Sequence, residues 1–352
     1  MVALPLLPGG PIIVRDVLEL IRVSGWRGAF ELAAHSTRLR RSTRECVIVM
    51  GLTALEKVGL NGALLSPAGL DLDAHPELDR HSLRAVCEYL FEVGVLEETG
   101  DGVYRARRRE RFRARLEVMY GYYAYHQPLY ALDRLISGDW RYGREVARDD
   151  RYDAMASADL TSKFSYQFSA ELLAKRPFER LVDLGSGTGG YCAYLADRFP
   201  RARFWGIDVA ADAIAEGRAR GHESERLMLR VGDITDLAPL HLDLERIDVF
   251  SLMFVLHEFS DQEIWRILHQ VRAVEPAARV LLTELIGKPS RQVRKERRRI
   301  FPELKIVHQL SHQVLRTPEE WVELFGRAGL RADAERRHAL TNHVALLFAP
   351  AT

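Results

Sequence analysis

The stretch FVLHEF, residues 254–259, places a histidine and a glutamate side by side directly after an apolar run. That run, IDVFSLM, is typical of a buried strand, so His257 and Glu258 stand where the strand ends. A histidine there can act as a general base, because its ordinary pKa lies near neutral pH. The pair can equally supply half of a metal site, or form no more than the polar end of the strand.

A glycine-rich turn upstream of this pair indicates a bound nucleotide. Gly185, Gly187 and Gly190 form a G-x-G-x-x-G pattern between a predicted strand and a predicted helix. Glycines let the backbone approach a ligand where side chains would block it. Two acids strengthen this signal: Asp208 ends the second predicted strand, where it can bind ribose hydroxyls, and Asp233 ends the third, where it can bind an adenine amine.

Asp183 lies inside the first of these strands, next to the turn. A carboxylate there suits a ligand with a cationic amine or sulfonium better than a nicotinamide or flavin cofactor. The run VDLGSGTGG, followed by GIDV and VGDI, resembles the class I methyltransferases that use S-adenosyl-L-methionine. The resemblance implies that the turn holds the methionine part of this cofactor and that the acid after strand two holds the ribose. The cofactor-binding residues it implies are Asp183, Gly185, Ser186, Gly187, Gly190, Asp208, Val209, Asp233 and Ile234.

The His-Glu pair resembles a motif of the plant-type small-molecule O-methyltransferases. In that family the histidine of a His-Asp-Trp motif after strand four is the general base, and an acid after strand five helps to hold it. The resemblance assigns these catalytic roles to His257 and Glu284. His257 would then take the proton of a hydroxyl acceptor, and orientation would lower much of the barrier. A second acid of that family is replaced here by Leu315.

The segments LHEFSDQE and VHQLSHQVLRTPEEW resemble more closely the metal-dependent C-methyltransferases of α-keto acids, the phenylpyruvate type. The resemblance implies that His257, Glu258 and His308 bind iron or another divalent or trivalent metal, and that Arg148 binds the carboxylate of the substrate. A metal with two histidine ligands and one carboxylate keeps open positions, where a keto acid can chelate and its enolate is stabilised. The predicted reaction is methylation at the β-carbon of the keto acid.

Alternatives remain open at two of these residues. Glu258 is one methylene longer than the aspartate of that family, so it binds a metal only if the backbone shifts, and otherwise it caps the following helix. His312 lies one helical turn from His308 and can replace it as a ligand or act as the catalytic base. The other functions considered are a metal-free O- or N-methyltransferase with His257 as base, a winged-helix regulator that only senses S-adenosylmethionine, and non-methyl chemistry on the same fold.

Alternating strands and helices from residue 178 onward predict the frame that positions these groups. The prediction is an α/β fold: a Rossmann-like class I methyltransferase domain at 176–352, with a doubly wound seven-stranded sheet. Ligands of such sheets lie beyond the carboxyl ends of the strands. Residues 109–175 are predicted to be linking helices, in which the aromatic stretch 118–130, with Tyr122 and Tyr123, forms either core or the wall of a substrate pocket.

Residues 1–108 are predicted to be mainly helical with one hairpin about Asp101-Gly102, an outline typical of a winged helix. Such a domain can bind DNA, or it can dimerise and cover a substrate. The net charge of +1 and the mixed charges of segment 78–93 do not favour a phosphate-tracking surface, which needs clustered cations, so no nucleic-acid partner is predicted. The homodimer is what the resemblance to the small-molecule O-methyltransferases implies, in which such a domain dimerises and closes the pocket. The arginine-rich runs 105–115 and 291–305 are predicted to be solvated helix faces, with phosphate binding as the alternative for the second.

The composition is that of an ordinary soluble globular protein, with 47% hydrophobic and 28% charged residues in a chain of 352. Three cysteines without metal-ligand spacing predict reduced thiols and a cytoplasmic protein. Prolines interrupt the apolar N-terminus, and no apolar run is long enough to span a membrane. The sequence therefore predicts a cytoplasmic enzyme of natural-product biosynthesis that acts on a small molecule.

Overall fold

The computed structural model describes residues 12–237, 246–296, 302–338 and 342–351. The chain divides into two compact units, Met1–Met119 and Tyr120–Thr352. Among the described residues, none of the helices combines the length and the apolar character that crossing a membrane requires.

The first unit contains helices and one small antiparallel sheet. Its helices are α1 (Ile12–Lys57), which is kinked at Gly25, α2 (Asn61–Leu65), α3 (Arg80–Glu92) and the start of α4 (Arg109–Ala124), within which the division between the units falls. Its strands are β1 (Leu70–Asp71), β2 (Leu96–Gly100) and β3 (Val103–Ala106), in the order β1-β3-β2. The predicted domain boundaries at 108 and 175 stay predictions.

The predicted hairpin is confirmed by the pairing of β2 with β3 across Asp101-Gly102. Gly102 adopts a φ of 76°, which a residue with a side chain rarely takes in such a turn. The third strand, β1, was not predicted, because two residues carry too little pattern to be recognised; Leu70 pairs with Tyr104. The outline of helix followed by hairpin is present, while its assignment as a winged helix stays a prediction.

The second unit is built on a seven-stranded sheet with the order β6-β5-β4-β7-β8-β10-β9. The strands are β4 (Arg180–Leu184), β5 (Arg203–Asp208), β6 (Leu227–Val231), β7 (Val249–Met253), β8 (Arg279–Leu285), β9 (Leu330–His338) and β10 (His343–Pro350). Strands β4 to β8 are parallel, and β10 pairs antiparallel with β8 and β9. The predicted doubly wound sheet is confirmed, and the chain reverses its order of strands between β4 and β7, where such sheets bind ligands.

The helices of this unit cover the sheet and connect its strands. They are α5 (His126–Tyr130), α6 (Leu132–Ser137), α7 (Asp150–Ala174), α8 (Gly190–Arg198), α9 (Ala211–Ala219), α10 (Asp261–Val274), α11 (Ser290–Glu296), α12 (Pro302–Leu310) and α13 (Pro318–Arg327). Of the arginine-rich run 291–305, residues 297–301 lie outside the described residues.

Alternating residues of the strands enter two apolar layers. Val182 and Leu282 pack in the layer that includes α10 and α13, whereas Leu181 and Leu281 pack in the layer that includes α7 and α8. Neighbouring residues divide in this way because successive side chains of a strand point to opposite faces. Each such leucine or valine stabilises the fold by about 1.5–3 kcal/mol relative to an exposed position, so the sheet is a rigid base for the groups at its strand ends.

Two capping boxes fix where α10 and α13 begin. Ser260 and Thr317 accept hydrogen bonds from the backbone N–H groups of Glu263 and Glu320, whose carboxylates accept in return from the backbone N–H of the cap residue. The predicted cap at Thr317, with Pro318 following, is confirmed. Because Ser260 caps α10, Glu258 does not serve the capping role that the sequence left open for it.

Candidate active site

The glycine-rich turn after β4 forms an open cradle at the carboxyl end of the sheet. Gly185 and Gly187 adopt φ values of 78° and 54°. A Cβ at Gly185 would lie 2.6 Å from Val255 Cγ2, whereas a Cβ at Gly187 would have no neighbour within 4 Å. Gly185 is therefore needed for close packing, and Gly187 faces open space beside the backbone. The Ser186 hydroxyl instead lies where a Cβ of Gly206 would be, against β5.

Asp208 closes this turn from the end of β5. Its carboxylate accepts hydrogen bonds from the backbone N–H groups of Gly187, at 2.7 Å, and Ala210, at 2.9 Å. Each carboxylate oxygen has two lone pairs, so both keep capacity for hydroxyl donors such as those of a ribose. The next residue, Val209, is 70% exposed, as a residue that borders a ligand can be before the ligand binds.

Asp183 and Asp233 carry the other polar groups of the predicted cofactor site. Asp183 is buried in β4, and burial raises its pKa to about 7, although the Ser251 hydroxyl that donates to it acts in the opposite direction. A cationic amine or sulfonium nearby would offset that burial. Asp233 is exposed after β6 and accepts from the backbone N–H and hydroxyl of Thr235, while Ile234 is buried. These residues fit S-adenosylmethionine.

His257 lies in a single 3-10 turn, Leu256–Glu258, that follows β7, and its side chain is buried. Its Nδ1 donates to Glu284 Oε2 at 2.8 Å, and its backbone N–H donates to Oε1 of the same carboxylate at 3.2 Å. Burial is the largest single influence and lowers the pKa of His257, but the charge and hydrogen bond of Glu284, together with the charge of Glu258, outweigh it and raise the pKa above the ordinary value. With Nδ1 protonated, Nε2 is the atom that can accept a proton.

His308 on α12 lies next to His257 but in a different environment. The two ring centroids are 5.2 Å apart at an interplanar angle of 63°. His308 Nδ1 donates to the backbone carbonyl of Leu304, one turn earlier in the helix. Burial, together with the neighbouring His257, lowers the pKa of His308 to about 4. His308 is therefore neutral at physiological pH, and its Nε2 is a hydrogen-bond acceptor.

Glu258 pairs with an arginine and an amide. Its Oε1 accepts from Arg148 Nη2 at 2.7 Å and from Gln313 Nε2 at 3.2 Å. Arg148 also contacts Asp150 at 2.7 Å and Asp153 at 3.3 Å. Three carboxylates surround this guanidinium, so a substrate carboxylate that bound Arg148, as predicted, would have to displace one of them.

The metal site predicted at His257, Glu258 and His308 is not supported by this geometry. Among the described residues, no group of three histidine, cysteine, aspartate or glutamate side chains is arranged to hold a metal ion. The Glu258 carboxylate is instead paired with the Arg148 guanidinium, which would repel a cation placed beside it. The predicted iron or other metal therefore has no assembled ligand set here.

The remaining predicted residues have other neighbours. His312 ends the turn after α12 with a φ of 60°, is exposed, and packs its ring against Tyr142 at a centroid distance of 6.0 Å. Tyr123 stacks on His126 at 4.4 Å and meets Tyr152 edge-on at 4.3 Å, as in a packed aromatic cluster. Catalysis by His312 and substrate contact by Tyr122 and Tyr123 stay predictions.

A segment after α12, residues 311–316, forms a strap that is hydrogen-bonded to the turn carrying His257. The sequence did not predict this strap. The backbone N–H of Val314 donates to the carbonyl of His257 at 2.8 Å. Arg316, which is 4% exposed, donates to the carbonyl of Phe259 at 2.9 Å and to Asp261. The strap runs so close to Gly287 that a Cβ there would lie 2.1 Å from the Leu315 carbonyl oxygen. The arginine before Thr317 was the only signal, and nothing in its spacing identifies its partners.

Asp153 and Gln313 were also missed. Asp153 lies in the first turn of α7, which Asp149 caps by accepting from the backbone N–H groups of Arg151 and Tyr152. Burial raises the pKa of Asp153, although Arg148 opposes this shift. Folding brings Asp153 to Arg148 and Gln313 to Glu258. No motif around either residue in the sequence indicates these contacts.

The chain is similar in sequence to known proteins. The family model for the O-methyltransferase domain matches residues 142–331. Aclacinomycin 10-hydroxylase RdmB of Streptomyces purpurascens is 30% identical over 214 residues, 57% of this chain and 54% of that protein. Methyltransferase UngE' of Aspergillus campestris is 27% identical over 304 residues, 81% of this chain and 88% of that protein.

A solved structure shows the same fold. Human N-acetylserotonin methyltransferase, solved in complex with S-adenosylmethionine, superposes with a TM-score of 0.65 at 17% identity, over 90% of this chain and 98% of that one. At this identity the likeness concerns the fold alone. The chain spans only about half the length of RdmB, so what that enzyme does is a statement about RdmB.

Proposed function

The chain belongs to the O-methyltransferase domain family, a family of S-adenosylmethionine-dependent methyltransferases, and we propose that it methylates a hydroxyl group of a small natural product. The observation that carries the proposal is the hydrogen bond between His257 Nδ1 and Glu284, which leaves Nε2 as the proton acceptor at the carboxyl end of the sheet. Its relatives include an aclacinomycin hydroxylase, which supports a natural-product acceptor.

Residues of this chain suit each part of the cofactor. S-adenosylmethionine supplies, when bound, a methyl group on a positively charged sulfur. Asp183 is placed for the cationic part, the backbone at Gly185 and Gly187 for close approach, and Asp208 for the ribose hydroxyls. Asp233, exposed after β6, is placed for the adenine amine.

His257 handles the proton of the acceptor. Its Nε2 removes the hydroxyl proton as the oxygen attacks, and Glu284 stabilises the imidazolium that results, because a carboxylate beside the ring favours its charged form. Such a base contributes about 10²–10⁴-fold to the rate. Glu284 also holds the backbone N–H of His257, so the ring has a fixed direction.

Mass analysis of products tests the proposal. The purified protein is incubated with methyl-labelled S-adenosylmethionine and a panel of phenols, amines and α-keto acids. We expect labelled methyl ethers from at least one phenol. A label on nitrogen, a label on the β-carbon of a keto acid, or an acceptor that gains oxygen while the label stays on the cofactor would each overturn it.

We also propose that the protein forms a homodimer through α1. Trp26 and Phe30 are 68% and 61% exposed and lie one helical turn apart after the kink at Gly25, which leaves an apolar patch that water solvates poorly. Light scattering of the variant Trp26→Glu/Phe30→Glu should give the mass of a monomer, and the wild type twice that mass. A monomeric wild type would contradict the proposal.

A further inference from the structure

A cleft in the first unit has no part in the proposed reaction. Its volume is about 200 Å³, and its wall includes Arg107, Arg108, Arg111 and Arg115. It lies where the hairpin of β2 and β3 leads into α4. The sequence predicted a solvated helix face for this run, so the concave surface is a finding of the structure.

The charge of the cleft is not neutralised by neighbouring acids. The run 105–115 contains seven arginines and one glutamate. Arg105 and Arg113, which do not line the cleft, pair with Glu97 and Glu110 at 2.6 and 3.0 Å. Of the arginines in the cleft, only Arg115 has such a pair among the described residues, with Glu45 at 3.0 Å.

Among the described residues, no carboxylate lies within 4.0 Å of the guanidinium groups of three arginines in the cleft. They are Arg107, Arg108 and Arg111. Like charges that line one cleft repel each other, and an anion between them would reduce this repulsion. Gly94, also in the wall, has a φ of 76°, which favours glycine, and a Cβ there would make an ordinary contact with Arg107 Nη1 at 3.5 Å.

We propose that this cleft binds the phosphate or diphosphate group of a small anionic molecule. The guanidinium fork matches two oxygens of a phosphate at once. Pockets for drug-sized ligands have volumes of about 300–1,000 Å³, so this smaller cleft suits a compact charged group rather than a whole aromatic acceptor. Val95 and Phe112 add an apolar floor on which the first carbon atoms of a phosphate ester can rest.

Titration calorimetry with inorganic diphosphate tests the proposal on the full chain. We expect saturable binding that weakens with salt, and a loss of about tenfold in affinity in Arg107→Gln/Arg111→Gln. The matched control is Arg113→Gln, which removes a paired arginine of the same helix outside the cleft and should leave the affinity within about twofold. Circular dichroism of both variants confirms that they fold.

Three results would overturn the proposal. They are the absence of saturable binding by the wild type, an equal loss in the Arg113→Gln control, and binding of a mixed-sequence DNA duplex far more tightly than diphosphate. The last result would make the run a nucleic-acid surface instead. A nucleoside diphosphate and a phosphate monoester, titrated in parallel, separate a preference for diphosphates from a preference for monoesters.

Discussion

Two histidines lie 5.2 Å apart in this protein, one in the turn after β7 and one on α12, and their pKa values are shifted in opposite directions. Both are buried, so burial alone would lower both values. The difference lies in the partner of Nδ1, which is the Glu284 carboxylate for His257 and the Leu304 carbonyl for His308. A charged partner thus makes one buried imidazole a base, while the neighbouring imidazole stays a neutral acceptor.

The largest difference between the two histidines is expected in the rate of catalysis. His257→Ala removes the base and should lower kcat by about 10²–10⁴-fold. His308→Ala should lower it by less than about tenfold, since one hydrogen bond to a substrate contributes about 0.5–1.5 kcal/mol. Initial rates with labelled cofactor measure both, and the exposed His269→Asn on α10 is the control. Equal losses in the two variants would remove the distinction.

Glu284→Gln tests whether the Glu284 carboxylate causes the difference in pKa between the two histidines. We expect a loss of about 10²-fold in kcat and a shift of the acidic limb of the pH–rate profile. In the wild type this limb lies above the ordinary histidine value of about 6.5, because Glu284 raises the pKa of His257. Without the charge, burial lowers that pKa, so the limb should move to lower pH. A limb that stays in place would show that Glu284 serves only packing.

The pH dependence of unfolding tests the lowered pKa of the other histidine, His308. The pKa of His308 is about 4 in the folded protein and about 6.5 when unfolded, so the unfolded state binds the extra proton first. Stability from this group is full above about pH 6.5 and is lost as the pH falls towards 4, with a total of about 3 kcal/mol. In His308→Gln, denaturant unfolding should depend less on pH in this window. An unchanged slope would contradict the neutral, buried imidazole.

The smallest effect is expected at Glu258, beside the base in sequence. Its side chain is 39% exposed and pairs with Arg148, so Glu258→Gln should cost below about 1 kcal/mol of stability and less than about threefold in kcat. Thermal unfolding and initial rates check both. Glu263→Gln, at the capping box of the next helix, is a structural control. A loss of activity as large as that of His257→Ala would restore Glu258 as a ligand or catalytic group.

The sequence was sufficient to predict the fold and those parts of the site that depend on short stretches of sequence. Strand ends after apolar runs, glycines in a tight turn and a Thr-Pro helix start are all decided within a few residues. This is why Asp183, Asp208 and His257 were placed correctly at the carboxyl edge of the sheet. The doubly wound sheet of seven strands was predicted from the alternation of strands and helices, whereas the order of the strands was not predicted and comes from the structure.

What the sequence left undecided depends on the direction of side chains and on partners far along the chain. In a 3-10 turn, adjacent side chains diverge, so His257 faces Glu284 whereas Glu258 faces Arg148, more than a hundred residues earlier. The motif could not reveal this divergence, and the metal hypothesis depended on the opposite geometry. The cytoplasmic location and the absence of a nucleic-acid partner stay predictions.

The contact between Gly287 and the strap has a consequence for how this enzyme can diverge. Since no room exists for a Cβ beside the Leu315 carbonyl, any other residue at position 287 would push the strap off the turn that carries His257. Relatives that keep glycine there can inherit the same route for the strap, and those that lack it must have rebuilt the loop. A library that varies residues 311–315 should therefore hold Gly287 constant, because only glycine there leaves the strap its route past the turn of His257.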